Sequence, residues 1–147
     1  MTPHQVITNF LIEARLATQA SPEQDCVIYT EREMTYIRYE GEEPHSSIEQ
    51  ISTLVGTIWK ATHTGGLDHS ALEQARLNTQ EALQFIYYCR GVTYAQCRVL
   101  GRTIKRQSGF DYMDIGWGNI LDFTAEETLS YKGTLIFKLH SKGGRVT

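Results

Sequence analysis

The chain contains the residue types that zinc, magnesium and nucleophilic chemistry use, but not at the spacing those sites need. His63 and His69 with Cys89 and Cys97 are ligand types for zinc. Zinc sites draw on close pairs such as Cys-x2-Cys or His-x3-His, and these four are too far apart along the chain. Asp111, Asp114, Asp122, Glu126 and Glu127 could hold magnesium for a nuclease if they converged from neighbouring strands beside a lysine such as Lys132. Carboxylates at strand ends and turns more often only keep a surface wet. Gly65-Gly66 lacks the lysine, the serine and the glycine spacing of a phosphate loop and reads as a turn. Cys97 as a nucleophile would need a histidine and an oxyanion donor beside it, and no signature supplies them. The expectation is a binding or structural role, with no catalytic residue, no metal and no cofactor.

Charge carries more information than motif. The formal net charge is −3, yet Glu31, Glu33, Glu40, Glu42, Glu43 and Glu49 cluster against only Arg32 and Arg38. From Ala82 to Phe110 there is no acid, while Arg90, Arg98, Arg102, Lys105 and Arg106 all fall there. Two solvated faces would account for this. The sharper reading is that unlike patches of two copies meet, as in a head-to-tail ring. The expected interface set is then Glu40, Glu42, Glu43, Arg90, Arg98, Arg102, Lys105 and Arg106, with Tyr112 and Trp117 as aromatic anchors. Aromatics beside the basic stretch 90–106 also suit a small module that stacks single-stranded nucleic acid.

The elements that must position these residues fit one domain. A length of 147 residues suits one core, and 41% hydrophobic with 21% charged residues matches the globular average. The apolar runs are too short for a spanning helix. The first residues lack the pattern of a secretory signal, so the expected place of the chain is the cytoplasm. Cys26, Cys89 and Cys97 are odd in number and set among apolar or aromatic neighbours, which predicts reduced, packed thiols rather than a disulfide framework.

Thr2, Pro3 and Gln5 form a helix start, and Val6, Ile7, Phe10, Leu11 and Ala14 give the helix an apolar face to about Thr18, before a stop at Ser21-Pro22. Cys26 to Tyr29 and Met34 to Tyr39 read as strand, followed by a turn at Gly41 to Pro44. Ile48 to Thr64 has a helical rhythm but is rich in β-branched residues, and is read as a strand. After a turn at His63 to Gly66, Ser70 and Glu73 begin one long helix that runs to Cys89 and stops at Gly91. Three antiparallel strands are expected next, the last of them alternating from Leu129 to His140. Residues 141–147 read as a loose tail on a domain of residues 1–140. No internal repeat is evident. The fold class is α+β, a mixed or antiparallel sheet with an N-terminal amphipathic helix and one long helix packed on it.

This order, with VITNFLIEARL in the first helix, TLVGTIWKAT running towards SALEQARL, and YKGTLIFKLH at the close, resembles the tail-terminator proteins of tailed bacteriophages. The resemblance covers nearly the whole chain at the level of pattern. It implies a structural virion subunit that forms a homo-oligomeric ring, a hexamer, capping the tail-tube protein and joining it to the head-connector protein. It implies location in the tail or neck of the virion, with the host cytoplasm as the place of assembly. That family has no shared active-site residues to carry over, and the Gly109 to Asp122 segment departs from its plain hairpin.

Overall fold

A computed structural model describes residues 1–19 and 26–146. Helix α1 (Pro3–Thr18) begins as the sequence predicts. Thr2 accepts a hydrogen bond from the Gln5 amide at 3.2 Å, and the Gln5 side chain accepts one from the Thr2 amide at 2.9 Å. The expected stop at Ser21-Pro22 lies outside the described residues. Four strands follow: β1 (Cys26–Glu31), β2 (Met34–Glu40), β3 (Ser46–Thr53) and β4 (Gly56–Leu67). Then come helices α2 (His69–Gln74) and α3 (Thr79–Ala95), and four more strands: β5 (Arg102–Gln107), β6 (Phe110–Asn119), β7 (Asp122–Tyr131) and β8 (Thr134–Arg145).

All eight strands join one antiparallel sheet in the order β1-β2-β3-β4-β8-β7-β6-β5. The two groups of four are joined through the β4–β8 pair, and each is preceded by helix. The second half therefore repeats the topology of the first about an approximate dyad through that pair, a repeat that sequence reading did not find.

Phe123, Ala125, Glu127 and Leu129 alternate along β7 and so share one face of the sheet. Phe123 and Ala125 belong to the cluster under α1, with Phe10, Leu11, Tyr36, Ile51 and Trp59. Leu129 belongs to the cluster under α2 and α3, with Leu72, Ile86, Tyr112 and Ile136. Both cores thus lie on the same face, side by side. On the other face Ile28, Ile104 and Trp117 stay exposed. Trp59 is fully buried, stacks on Phe123 and donates its indole N–H to the Ile120 carbonyl at 2.8 Å, a contact that ties the first half to the β6–β7 turn.

Several expected elements differ. Ile48 to Thr64 forms two strands rather than one, because the chain reverses at Leu54-Val55 and Gly56 takes a φ of 124°. The long helix is broken: Arg76 adopts a left-handed φ of 55°, and Asn78 caps α3 by accepting from the Glu81 amide at 2.8 Å. Asp68, not Ser70, caps α2. Gly91 does not stop the helix, which runs on to Ala95. Gly65 and Gly66 lie inside β4. A Cβ at Gly65 would meet the Lys138 carbonyl oxygen at 2.1 Å, so the glycine admits the neighbouring strand rather than turning the chain.

Four strands, not three, follow α3. Residues 141–145, read as tail, continue β8 and are held between β4 and β7. Of the three cysteines only Cys89 is packed; Cys26 and Cys97 are exposed, and all three are free. No described helix is long and apolar enough to cross a membrane.

Candidate ligand-binding cleft

Where the two cores meet, between α1 and α3, the sheet is floored by charge instead of hydrocarbon. In the first half, Arg15 of α1 grips Glu49 of β3 with two nitrogens, Nε at 2.9 Å and Nη2 at 2.6 Å. The Tyr36 hydroxyl of β2 donates to the same carboxylate at 2.6 Å. In the second half, Arg90 of α3 grips Glu127 of β7 at 2.9 and 2.6 Å, and the Tyr112 hydroxyl of β6 donates to that carboxylate. The registers match as well. Tyr36 lies opposite Ile51, two residues beyond Glu49, and Tyr112 lies opposite Leu129, two residues beyond Glu127. The arginine–glutamate–tyrosine unit is therefore the same construction built twice.

Two of the equivalent positions that differ between the halves bring in titratable groups. Directly across from the glutamate stands Arg38 in the first half and Asp114 in the second. Next to it on the central strands, His63 of β4 faces Ser141 of β8. His63 Nε2 lies 2.5 Å from Glu49 Oε1, and its Nδ1 lies 2.6 Å from Ser141 Oγ. An ionised carboxylate only accepts, so Nε2 carries a proton and donates it to Glu49.

Burial alone would raise the Glu49 carboxyl, but the Arg15 guanidinium and His63 outweigh it and hold Glu49 well below the usual carboxylate range. Glu127 is likewise lowered, with Arg90 overcoming its burial. Asp114 goes the other way. Burial, and then the neighbouring charge of Glu127, push it up to about 7 against the partial opposition of Arg90 and Arg15. Among the described residues neither Asp114 nor Arg38 makes an ion pair.

Above this floor is a cavity of about 280 Å³. Arg15, Arg38, Glu49, His63, Arg90, Asp114, Glu127 and Ser141 line it with Tyr87, Tyr94, Leu100, Phe123 and Leu139. Arg15 Nη1 reaches the Tyr94 hydroxyl at 3.4 Å, so the first helix touches the third across the opening. The size is near the lower end of small-ligand pockets, roughly 300 Å³ and above.

The residues singled out from sequence scatter. Of Arg90 and Tyr112, both expected at a subunit interface, Tyr112 is 1% exposed, and Arg90 is partly buried in the cleft and spent on Glu127. Glu40, Glu42, Glu43, Arg98, Arg102, Arg106 and Trp117 are exposed. Glu42 and Glu43 occupy the β2–β3 turn, and Arg102 and Arg106 the edge strand β5. Arg106 pairs with Asp111 at 2.7 Å, and Lys105 sits over the Tyr88 ring at 5.1 Å.

Of the carboxylates considered for magnesium, Asp114, Glu126 and Glu127 line the cavity; Asp114 and Glu127 stand side by side, but Glu127 already has its arginine and Glu126 lies 3.8 Å from His140. His63 lies in the cleft, whereas Cys89 is in the α3 core and Cys97 beyond the end of α3. Among the described residues no three His, Cys, Asp or Glu side chains gather closely enough to hold a metal ion. Arg15, Glu49, His63 and Ser141 were missed as site residues. The repeated order of arginine, tyrosine and glutamate, at similar separations in each half, was the available signal.

Fold and site together define an α+β domain of two topologically equivalent halves with a polar cleft at their join. The chain belongs to the DUF5680 family, a domain of unknown function, whose family model matches residues 37–146. No curated protein and no solved structure matches the chain.

Proposed function

We propose that this chain is a binding module for a small polar molecule, held in the cleft between α1 and α3. The observation that carries this reading is the charged floor between two apolar cores. Buried ion pairs contribute little net stability, and apolar packing of the same volume is often as stable or more so. A domain built only to fold would gain from fusing its two cores. A cavity with several convergent polar groups and a desolvated carboxylate is the usual form of a ligand site.

Binding is favoured over catalysis. Ser141, His63 and Glu49 are ordered like a nucleophile, a base and an acid, but Glu49 already accepts from Arg15, Tyr36 and His63. Ser141 lies mid-strand, with β4 on one side and β7 on the other, where the ladders engage the backbone N–H groups that an oxyanion hole would use. The test is a thermal-shift screen of small polar metabolites against the native protein and a Ser47→Phe variant that fills the cleft. Ligands at about 100 times their Kd should add roughly 2.7 kcal/mol of stability to the native protein and little to the variant. Equal stabilisation of both proteins, or of neither, would overturn the reading.

A second reading rests on the sheet's two open edges. Strand β1 ends in Glu31 and leads into Glu33, with Arg32 between them paired to Glu13, whereas β5 at the far edge carries Arg102, Lys105 and an Arg106 paired to Asp111. Unpaired edges invite strand addition between copies, and here their charges are complementary. This supports head-to-tail assembly of the kind a tail-terminator ring would use, with the tail-tube and head-connector proteins as further partners. Light scattering across a concentration and salt series tests it: salt-sensitive oligomers are expected, and a monomer under all conditions, with tube protein present as well, would sink it.

A further inference from the structure

The two halves of the cleft carry the same arginine–glutamate–tyrosine unit, so the places where they differ show what the cavity adds to a common scaffold. Opposite the glutamate, the first half has a cation, Arg38, and the second an anion, Asp114. His63 stands only on the first side, and its partner across the dyad is the neutral Ser141. With the shared units cancelling, one end of the cavity is left with an unpaired guanidinium beside an imidazole, and the other with an unpaired carboxylate. Neither Arg38 nor Asp114 forms an ion pair among the described residues, although both line the cavity. Tyr94, Leu100, Phe123 and Leu139 add apolar and aromatic surface to the same cavity.

From this we infer that the ligand is dipolar: an anionic group set against Arg38, a cationic nitrogen set against Asp114, and an apolar or aromatic spacer between them. The inference rests on the binding reading above and narrows it to one substrate class. A molecule with a single charge would leave one unpaired, partly desolvated group unmatched, which is costly. A neutral molecule would leave two.

The test uses defined probes on the intact protein. Because Arg38 and Asp114 stand on strands five steps apart in the sheet, a series of long ω-amino acids, from 6-aminohexanoate to 12-aminododecanoate, is titrated alongside hexanoate and hexylamine, and binding is followed through the amide resonances of the cleft strands. One chain length of the series should bind at least about tenfold tighter than either singly charged control, since a matched charge-assisted pair contributes on the order of 1.5–3 kcal/mol. Asp114→Asn should abolish the advantage over hexanoate, and Arg38→Gln the advantage over hexylamine. Neither residue holds the fold through an ion pair, so both variants should melt cooperatively.

If hexanoate or hexylamine shifts the cleft resonances as strongly as the best amino acid, the dipolar inference is overturned while the binding site stands. If no probe of any length perturbs the cleft, the dipolar inference fails, and the metabolite screen decides separately whether the cavity binds anything.

Discussion

Glu49 and Glu127 occupy equivalent points of the two half-sheets, each clasped by two guanidinium nitrogens of a helix arginine and by a tyrosine hydroxyl from the preceding strand. The environments are not equal. The Glu49 side chain is 4% exposed and its arginine 18%, whereas the Glu127 side chain is 9% exposed and its arginine 29%. Glu49 also receives His63. Glu49→Gln should therefore cost about 3–5 kcal/mol, the usual result of leaving a buried cation without its counter-ion, and Glu127→Gln less. Urea unfolding of the two variants checks the order; a larger loss for Glu127→Gln would contradict it.

The pH dependence should have two opposed parts. Glu49 and Glu127 have lowered carboxyls, so their stabilisation is present above the unfolded carboxylate range near 4.5 and is lost as pH falls through the still lower folded values. Asp114 is raised from 3.8 to about 7, so between those values the folded state holds a proton that the unfolded chain releases. Its contribution turns unfavourable as pH rises across that window. Asp114→Asn should raise Tm by more at pH 8 than at pH 4, and an equal change at both would show that the carboxyl is not desolvated.

Trp59 offers a clean probe of the join. It is buried, while Trp117, the other tryptophan, is 49% exposed. In a Trp117→Phe background the emission should be blue-shifted and should move red in a single transition on unfolding. Trp59→Phe should cost roughly 1–3 kcal/mol, by leaving the Ile120 carbonyl without its donor and the cavity underfilled.

Deleting residues 141–147 should abolish cooperative folding rather than trim a tail. Ser141 to Arg145 pair with β4 on one side, and Ser141 to Gly144 with β7 on the other. Circular dichroism and a thermal melt of the shortened chain decide it; a melt within a few degrees of the full chain would refute the assignment.

Local features were legible in the sequence because their causes are local. The Thr2–Gln5 cap and the apolar face of α1 each depend on residues a few positions apart; the alternation expected from Leu129 to His140 did not hold at Leu135, which is exposed while Ile136 is buried, because a turn at Lys132-Gly133 and a bulge at Leu129/Ser130 shift the register. The break at Arg76 was hidden because the apolar spacing of Leu72, Ala75, Thr79 and Ala82 runs straight through it. Gly91 read as a stop because glycine often ends a helix, but α3 continues through it to Ala95.

The cleft could not be read because it is made by register. Glu49 meets Arg15 across 34 residues of chain, and His63 meets Ser141 across 78. The charge asymmetry was visible, but Arg90 and Tyr112 were taken for surface groups because nothing in their own neighbourhood announces Glu127.

Strand β8 comes last among the elements yet lies in the middle of the sheet. While the ribosome is still making the second half, the first half has already emerged with the edge of β4 bare. The core under α2 and α3 cannot close until residues 134–145 arrive between two waiting strands, because Ile136 and Phe137 belong to it. The nascent chain must spend that interval with a sticky seam exposed, open to the same strand of a sister chain on the next ribosome. Pairing with a neighbouring chain competes with folding for as long as β8 has not filled that seam.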